Sequence, residues 1–105
     1  MTPRWDDLET VLHLVREGSL ARAAEQLGVT YTTVARRIVR AETALGVTLF
    51  ERLSDGYRPT EAAALVASHA ATMQDAAFAM LREMAGRDGS EICRPVEIFR
   101  RNHSR

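Results

Sequence analysis

The chain has 105 residues, 46% of them hydrophobic, with 14 basic and 14 acidic side chains and a formal net charge of zero. That length allows one small domain with a modest core and an appendage. The balanced charge argues against a generally polycationic nucleic-acid binder but leaves room for a local basic surface.

All 14 basic residues are Arg, whose planar fork supports bidentate contacts that Lys does not make; a genomic base-composition bias gives the same result. The single cysteine, Cys93, excludes an intrachain disulfide and fits a reducing compartment. The N-terminal "MTPRWDDLET" lacks the pattern of a cleaved leader. No apolar run approaches the ~20 residues of a membrane span. A soluble cytoplasmic protein, not associated with a membrane, is the expectation.

Asp6 followed by Glu9 reads as a capping box. Leu8, Val11, Leu12 and Val15 then recur at helical spacing and predict a first helix over 6–17, closed by Gly18. Ser19 is a good N-cap for a second helix, which has an apolar stripe of Ala23, Ala24 and Leu27 and a stop at Gly28. Thr30 caps a third helix that runs to Leu45 and stops at Gly46. The abrupt junction Gly28-Val29-Thr30 is of the kind that joins the two helices of a helix-turn-helix.

The following segment, "VTLFERLSDGYRPT", has two short apolar runs around an Asp55-Gly56 turn signal. It reads as a small β-hairpin, or wing, whose second strand is weakened by Pro59. Thr60 then caps an alanine-rich fourth helix over 61–86. Along it Val66, Ala70, Met73, Ala77, Met80 and Met84 alternate at four- and three-residue intervals, which makes a heptad seam. At 1.5 Å per residue this helix is about 39 Å long, too long to pack entirely on so small a domain, and it is expected to mediate dimerisation. The tail over 87–105 reads as flexible or partly extended.

The third helix sorts its residues by face. Val34, Ile38, Ala41 and Leu45 form the buried side, with Thr32, Arg36, Val39 and Thr43 opposite them. Thr33 and Arg40 lie to one side, and Arg37 sits at the boundary, where its stem packs and its head reaches out. No acid occurs from Tyr31 to Val39. Arg forks onto guanine O6 and N7, and a Thr methyl meets a thymine methyl. A helix-turn-helix offers the start of its second helix to base edges, which here means Tyr31, Thr32, Thr33 and Arg36; Arg40 is expected on phosphate. Free amides near Ser19 and Thr30 bind anions, and Arg22, Arg52 and Arg58 are candidate flanking clamps. An enzyme is not expected: His13, His69 and His103 fall on different elements, no spacing suggests a metal or acid–base site, and no cofactor is implied.

The segments "GSLARAAEQLGVT", "TVARRI", "ETALGVTLFERL" and "DGYRPTEA" resemble the N-terminal DNA-binding domain of the bacterial LysR-type transcriptional regulators over about 5–86. Ser19, Ala23, Ala24, Leu27, Ile38, Glu42, Leu45, Gly46, Leu49, Phe50, Arg52 and Thr60 stand at that family's spacing. The resemblance implies a mainly α, winged helix-turn-helix domain over 1–60 with a long linker helix that forms a homodimer. It also implies an interrupted inverted repeat in promoter DNA as the target. It assigns the base-facing segment to Tyr31, Thr32, Thr33, Ala35 and Arg36, and a wing-proximal basic position to Arg52. Several positions depart from the family pattern: Ala35 replaces a DNA-facing serine, Ala41 a core leucine, Pro59 an aliphatic and Ala63 a glycine, while Asp55 puts an acid at the wing tip. Family members continue into an effector-binding region, and this sequence ends near where that region's first strand begins. No small-molecule effector site is therefore expected here, and a premature stop or frame shift is one explanation of the ending. The competing reading is a truncated interaction module that heterodimerises with a full-length regulator.

Overall fold

The computed structural model describes residues 2–87; the tail, with Cys93 and His103, lies outside them. The order of elements is α1 (Trp5–Glu17), α2 (Leu20–Leu27), α3 (Tyr31–Leu45), β1 (Phe50–Leu53), β2 (Gly56–Pro59) and α4 (Glu61–Arg87). The described residues fall into two units, the first ending at Ala71 and the second starting at Thr72.

In the first unit each short helix is delimited by local chemistry. Ser19 and Thr30 cap α2 and α3, their hydroxyls accepting from the amides of Arg22 at 3.1 Å and Thr33 at 3.2 Å. Gly28 takes φ 71° at the end of α2, and the Val29 amide donates back to the Ala24 carbonyl at 3.1 Å. This left-handed turn satisfies carbonyls that the helix end leaves open, and it needs a residue without a Cβ penalty. The start of α1 differs from expectation. Asp6 is not the cap: the Arg4 carbonyl already accepts from the Asp7 and Leu8 amides at 3.0 and 3.1 Å, and no side chain caps that end. Asp6 and Asp7 instead lie within the first turn, where acids suit the helix dipole.

α1, α2 and α3 close around Val11, Leu14, Ala23, Ala24, Val34, Ile38 and Ala41, joined by Leu49 and Phe50 of the wing and Ala63 of α4. The two alanines of α2 let the neighbouring helices approach closely. Ala41 and Ala63 are fully buried, so both departures from the family pattern are absorbed inside the core. Leu45, expected in the core, is 36% exposed; it is the last residue of α3, and the chain turns away at Gly46 before anything covers it.

The wing is an antiparallel pair with Leu53 opposite Gly56, Arg52 opposite Tyr57, Glu51 opposite Arg58 and Phe50 opposite Pro59. Ser54 and Asp55 form the turn, one residue before the Asp55-Gly56 signal, and Gly56 opens the second strand. Pro59 ends β2 in a sheet of two strands, an edge position where a missing amide is tolerated. Phe50 and Tyr57 meet edge to face with centroids 6.2 Å apart. The hairpin is fixed at its base from both sides. Glu42 of α3 accepts from the Leu49 and Phe50 amides at 2.8 and 3.4 Å. Thr60 shares its hydroxyl proton between the Thr48 and Leu49 carbonyls at 2.8 and 3.1 Å and accepts from the Ala63 amide at 3.3 Å, capping α4.

A second, smaller cluster joins Leu12 of α1 to Ala67 and Ala70 of α4, flanked by Leu8, Val15 and Ala71. Ala70, expected in a dimer seam, is thus used inside its own unit, and Val66 packs against the main core. In the second unit Met73, Phe78, Met80 and Met84 of α4 are each 46–55% exposed. The helix has 27 residues.

Gly56 has φ 149°, and a Cβ there would lie 3.2 Å from the Gly18 carbonyl oxygen. Both the backbone conformation and the approach of the wing to the α1–α2 corner demand a bare Cα. Gly56→Ala is expected to lower stability by about 1–3 kcal/mol, read as a lower denaturant midpoint.

Candidate nucleic-acid interface

The outer face of α3 carries Tyr31, 60% exposed, then Thr32, Arg36, Val39 and Thr43, all open to solvent. Their positions come from the tight turn before the helix and from the core residues Val34, Ile38 and Ala41 on its opposite side. Ala35 and Thr33 are half-buried beside this face. Thr33 is held to Thr30 twice, through the cap and through a hydroxyl pair at 2.9 Å, so the first turn of α3 is rigid where it is most exposed.

The three arginines of α3 have different environments. Arg36 is exposed, and no hydrogen bond or ion pair engages it among the described residues. Arg37 is half-buried at the boundary and reaches the Thr10 hydroxyl of α1 at 3.5 Å, the outer limit of a hydrogen bond. Arg40 was expected on phosphate; instead its Nε and Nη2 donate to the two carboxylate oxygens of Asp7 at 2.9 and 2.8 Å. Asp7 is only 1% exposed. A carboxylate so buried is costly without a cation, and that cost holds Arg40 against α1. The hydrogen bond to Asp7 raises the Arg40 guanidinium above its ordinary range; desolvation opposes it, and the charges of Asp7 and Asp6 add smaller upward effects. Since the shift is upward, its contribution is present at every pH below the ordinary arginine value and is lost only above it. A cleft of about 260 Å³ borders this pair, lined by Thr2, Pro3, Arg4, Thr43 and Ala44 as well.

The flanking cations also separate. Arg22 is exposed on the first turn of α2, beyond the Ser19 cap. On the wing, Arg52 and Arg58 lie on opposite faces of the hairpin, as the register requires. Arg52 sits 5.9 Å from the Tyr57 ring centroid, a cation–π distance. Arg58 is bound by Glu51 through Nε and Nη2 at 3.1 and 2.7 Å. As a candidate clamp it therefore starts with an intramolecular partner, although that pair is exposed and weak. Residues that sequence reasoning did not single out for positioning are Asp7 and Glu42. Their partners lie 33 and 7 residues away, and no local pattern marks either contact.

Helix, tight turn, helix and β-hairpin in this order form a winged helix-turn-helix. Residues 5–64 match the family described as "Bacterial regulatory helix-turn-helix protein, lysR family". The chain belongs to the lysR family. Among its relatives is the Mau operon transcriptional activator of Paracoccus denitrificans, 38% identical over 96 residues, covering 91% of this chain and 32% of that protein. Another is the HTH-type transcriptional activator AmpR of Rhodobacter capsulatus, 35% identical over 78 residues, covering 74% of this chain and 27% of that one. The chain spans about a third of the length of the curated relatives it matches. Similar solved structures include oxidized OxyR of Corynebacterium glutamicum, with a TM-score of 0.78 at 28% identity over 86% of this chain and 28% of that chain. The CbnR_DBD–DNA complex gives 0.71 at 26% identity over 81% of this chain and 99% of that chain.

For this lysR-family chain, Arg36→Ala is expected to stay within about 0.5 kcal/mol of the parent in thermal unfolding, as exposed substitutions do. Arg40→Ala and Asp7→Ala each lower stability clearly more. The double variant loses less than the sum of the two, because each single change strands the other partner.

Proposed function

We propose that this chain is the DNA-binding part of a LysR-type transcriptional regulator, working in the cytoplasm as a homodimer on an inverted repeat in promoter DNA. The observation that carries the reading is the first half of α3. It follows a tight turn, is rigidly capped, contains no acid from Tyr31 to Val39, and presents Arg36 with its guanidinium uncommitted among the described residues. The second helix of a helix-turn-helix enters the major groove with its N-terminal residues toward the base edges. Tyr31, Thr32, Thr33 and Arg36 take that role here, with Arg36 forking onto a guanine. Ser19 and Thr30 begin the two helices whose first amides face phosphate, and Arg22 and Arg52 add charge beside them. Arg37, Arg40 and Arg58 contribute less, because Thr10, Asp7 and Glu51 already engage them.

The dimer forms through the exposed part of α4. Met73, Ala77, Met80 and Met84 keep the four- and three-residue alternation of a seam and are exposed in the single chain. Methionines on such a face pack adaptably against a second copy. Two copies place two α3 helices on one DNA duplex, and operator symmetry then mirrors protein symmetry.

The deciding experiment is a binding titration against promoter fragments across a range of salt. Arg36→Ala is expected to cost about 1–3 kcal/mol and to relax specificity at one position of each half-site. A folded dimer that binds no DNA at low salt would overturn the reading. Sedimentation tests the other half: Met80→Glu is expected to turn a dimer into a monomer with the same melting profile in the first unit, and to weaken DNA binding by more than any single α3 substitution.

A further inference from the structure

We propose that the second half of α3's outer face reads a methyl group, with Val39 receiving the C5 methyl of a thymine in the base pair next to the one met by Arg36. The inference rests on the DNA-binding reading above and adds a specificity-determining residue to it. Val39 is 48% exposed and belongs to neither core cluster. With Thr32, Arg36 and Thr43 it shares one stripe of the helix, at intervals of four, three and four residues. A lone exposed valine is ordinary on a protein surface. The chemistry on its C-terminal side is not, because Arg40 and Thr43 both direct hydrogen bonds into the protein.

Arg40, beside the stripe, directs its Nε and Nη2 onto Asp7 at 2.9 and 2.8 Å. The Thr43 hydroxyl donates its proton to the Val39 carbonyl at 3.0 Å. The stripe beyond Arg36 thus offers an isopropyl group and no uncommitted donor. In the major groove the apolar group on a base edge is the thymine methyl, and it is the complement such a surface selects. Val39 lies three residues past Arg36, about 4.5 Å along the helix. That is comparable to one base-pair step of about 3.4 Å, which puts the neighbouring pair within reach of Val39.

The test uses the full chain. Duplexes are selected from a randomised library, and each thymine of the recovered consensus is replaced singly by deoxyuridine, which removes the methyl and nothing else. One thymine per half-site is expected at which deoxyuridine weakens the parent about threefold to fivefold, the effect of burying one methyl group. At that position Val39→Ala should be insensitive to the replacement, while Val39→Ile keeps the sensitivity. Val39→Ala stands at an exposed site, and its melting temperature should match the parent's. If every thymine is equally sensitive, or equally insensitive, in the parent and in Val39→Ala, the methyl contact is overturned, and the loss of specificity expected for Arg36→Ala still judges the proposed function separately. If selection recovers no consensus, both are overturned.

Discussion

Asp7 is a carboxylate inside a small core, and the position of α3 follows from that. Its two oxygens are met by two guanidinium nitrogens of Arg40 at 2.8 and 2.9 Å, a bidentate arrangement with more directional definition than a single ion contact. The pair bridges the first turn of α1 and the middle of α3, so α3 can neither rotate about its axis nor slide along α1 without exposing the pair or stranding Asp7. Replacement by two apolar residues of similar volume often matches or exceeds the stability of a buried pair. What the pair supplies here is definition: one rotational setting of α3, with Thr32, Arg36 and Val39 outward. Arg37, about one turn earlier on α3, supports the same setting through Thr10, whose hydroxyl also donates to the Asp6 carbonyl at 2.7 Å.

The far end of α3 is defined by a second carboxylate. Glu42 accepts from the first amides of the wing segment, and Thr60 closes the same loop from the other side before starting α4. α3, the wing and the start of α4 are therefore positioned by side chains that meet at Leu49 and its neighbours, where only a few residues separate three elements. Acids do much of this work. Asp7, Glu42 and Glu51 each hold a cation or backbone amides inside the fold, which also reconciles a net charge of zero with an acid-free face on α3.

Features set by neighbours in the chain were legible in the sequence. Ser19 and Thr30 cap their helices, and Gly18, Gly28 and Gly46 take left-handed conformations that close them, since each depends on residues within one turn. Val34, Ile38 and Ala41 followed from helical periodicity. Legibility ended where a contact crosses the fold. Arg40 lies to one side of the exposed face by helical angle alone, and only the position of Asp7, brought near by the crossing of α1 and α3, shows which way its head turns. Ala70 fits a heptad seam as well as any residue in α4, but Leu12 of α1 claims it first. Leu45 fits the core stripe, but the helix ends before the core reaches it. The family spacing marked Glu42 without giving its reason, which is the bond to the wing amides.

These pairings bear on how such a domain chooses one sequence. Attraction to DNA in general grows with the number of cations free to displace counterions from phosphate, and here Arg40 and Arg58 are engaged within the protein before any DNA arrives. Those two cations add less to a hold on arbitrary duplexes than unengaged arginines would. Under the proposed reading, preference for a particular duplex depends on contacts that discriminate between bases, which on α3 means the fork of Arg36 and the small side chains around it. With Ala35 in place of a hydroxyl, that face has fewer donors and more methyl groups than the family pattern provides. The selectivity it can generate shifts accordingly from hydrogen bonding toward shape and apolar fit.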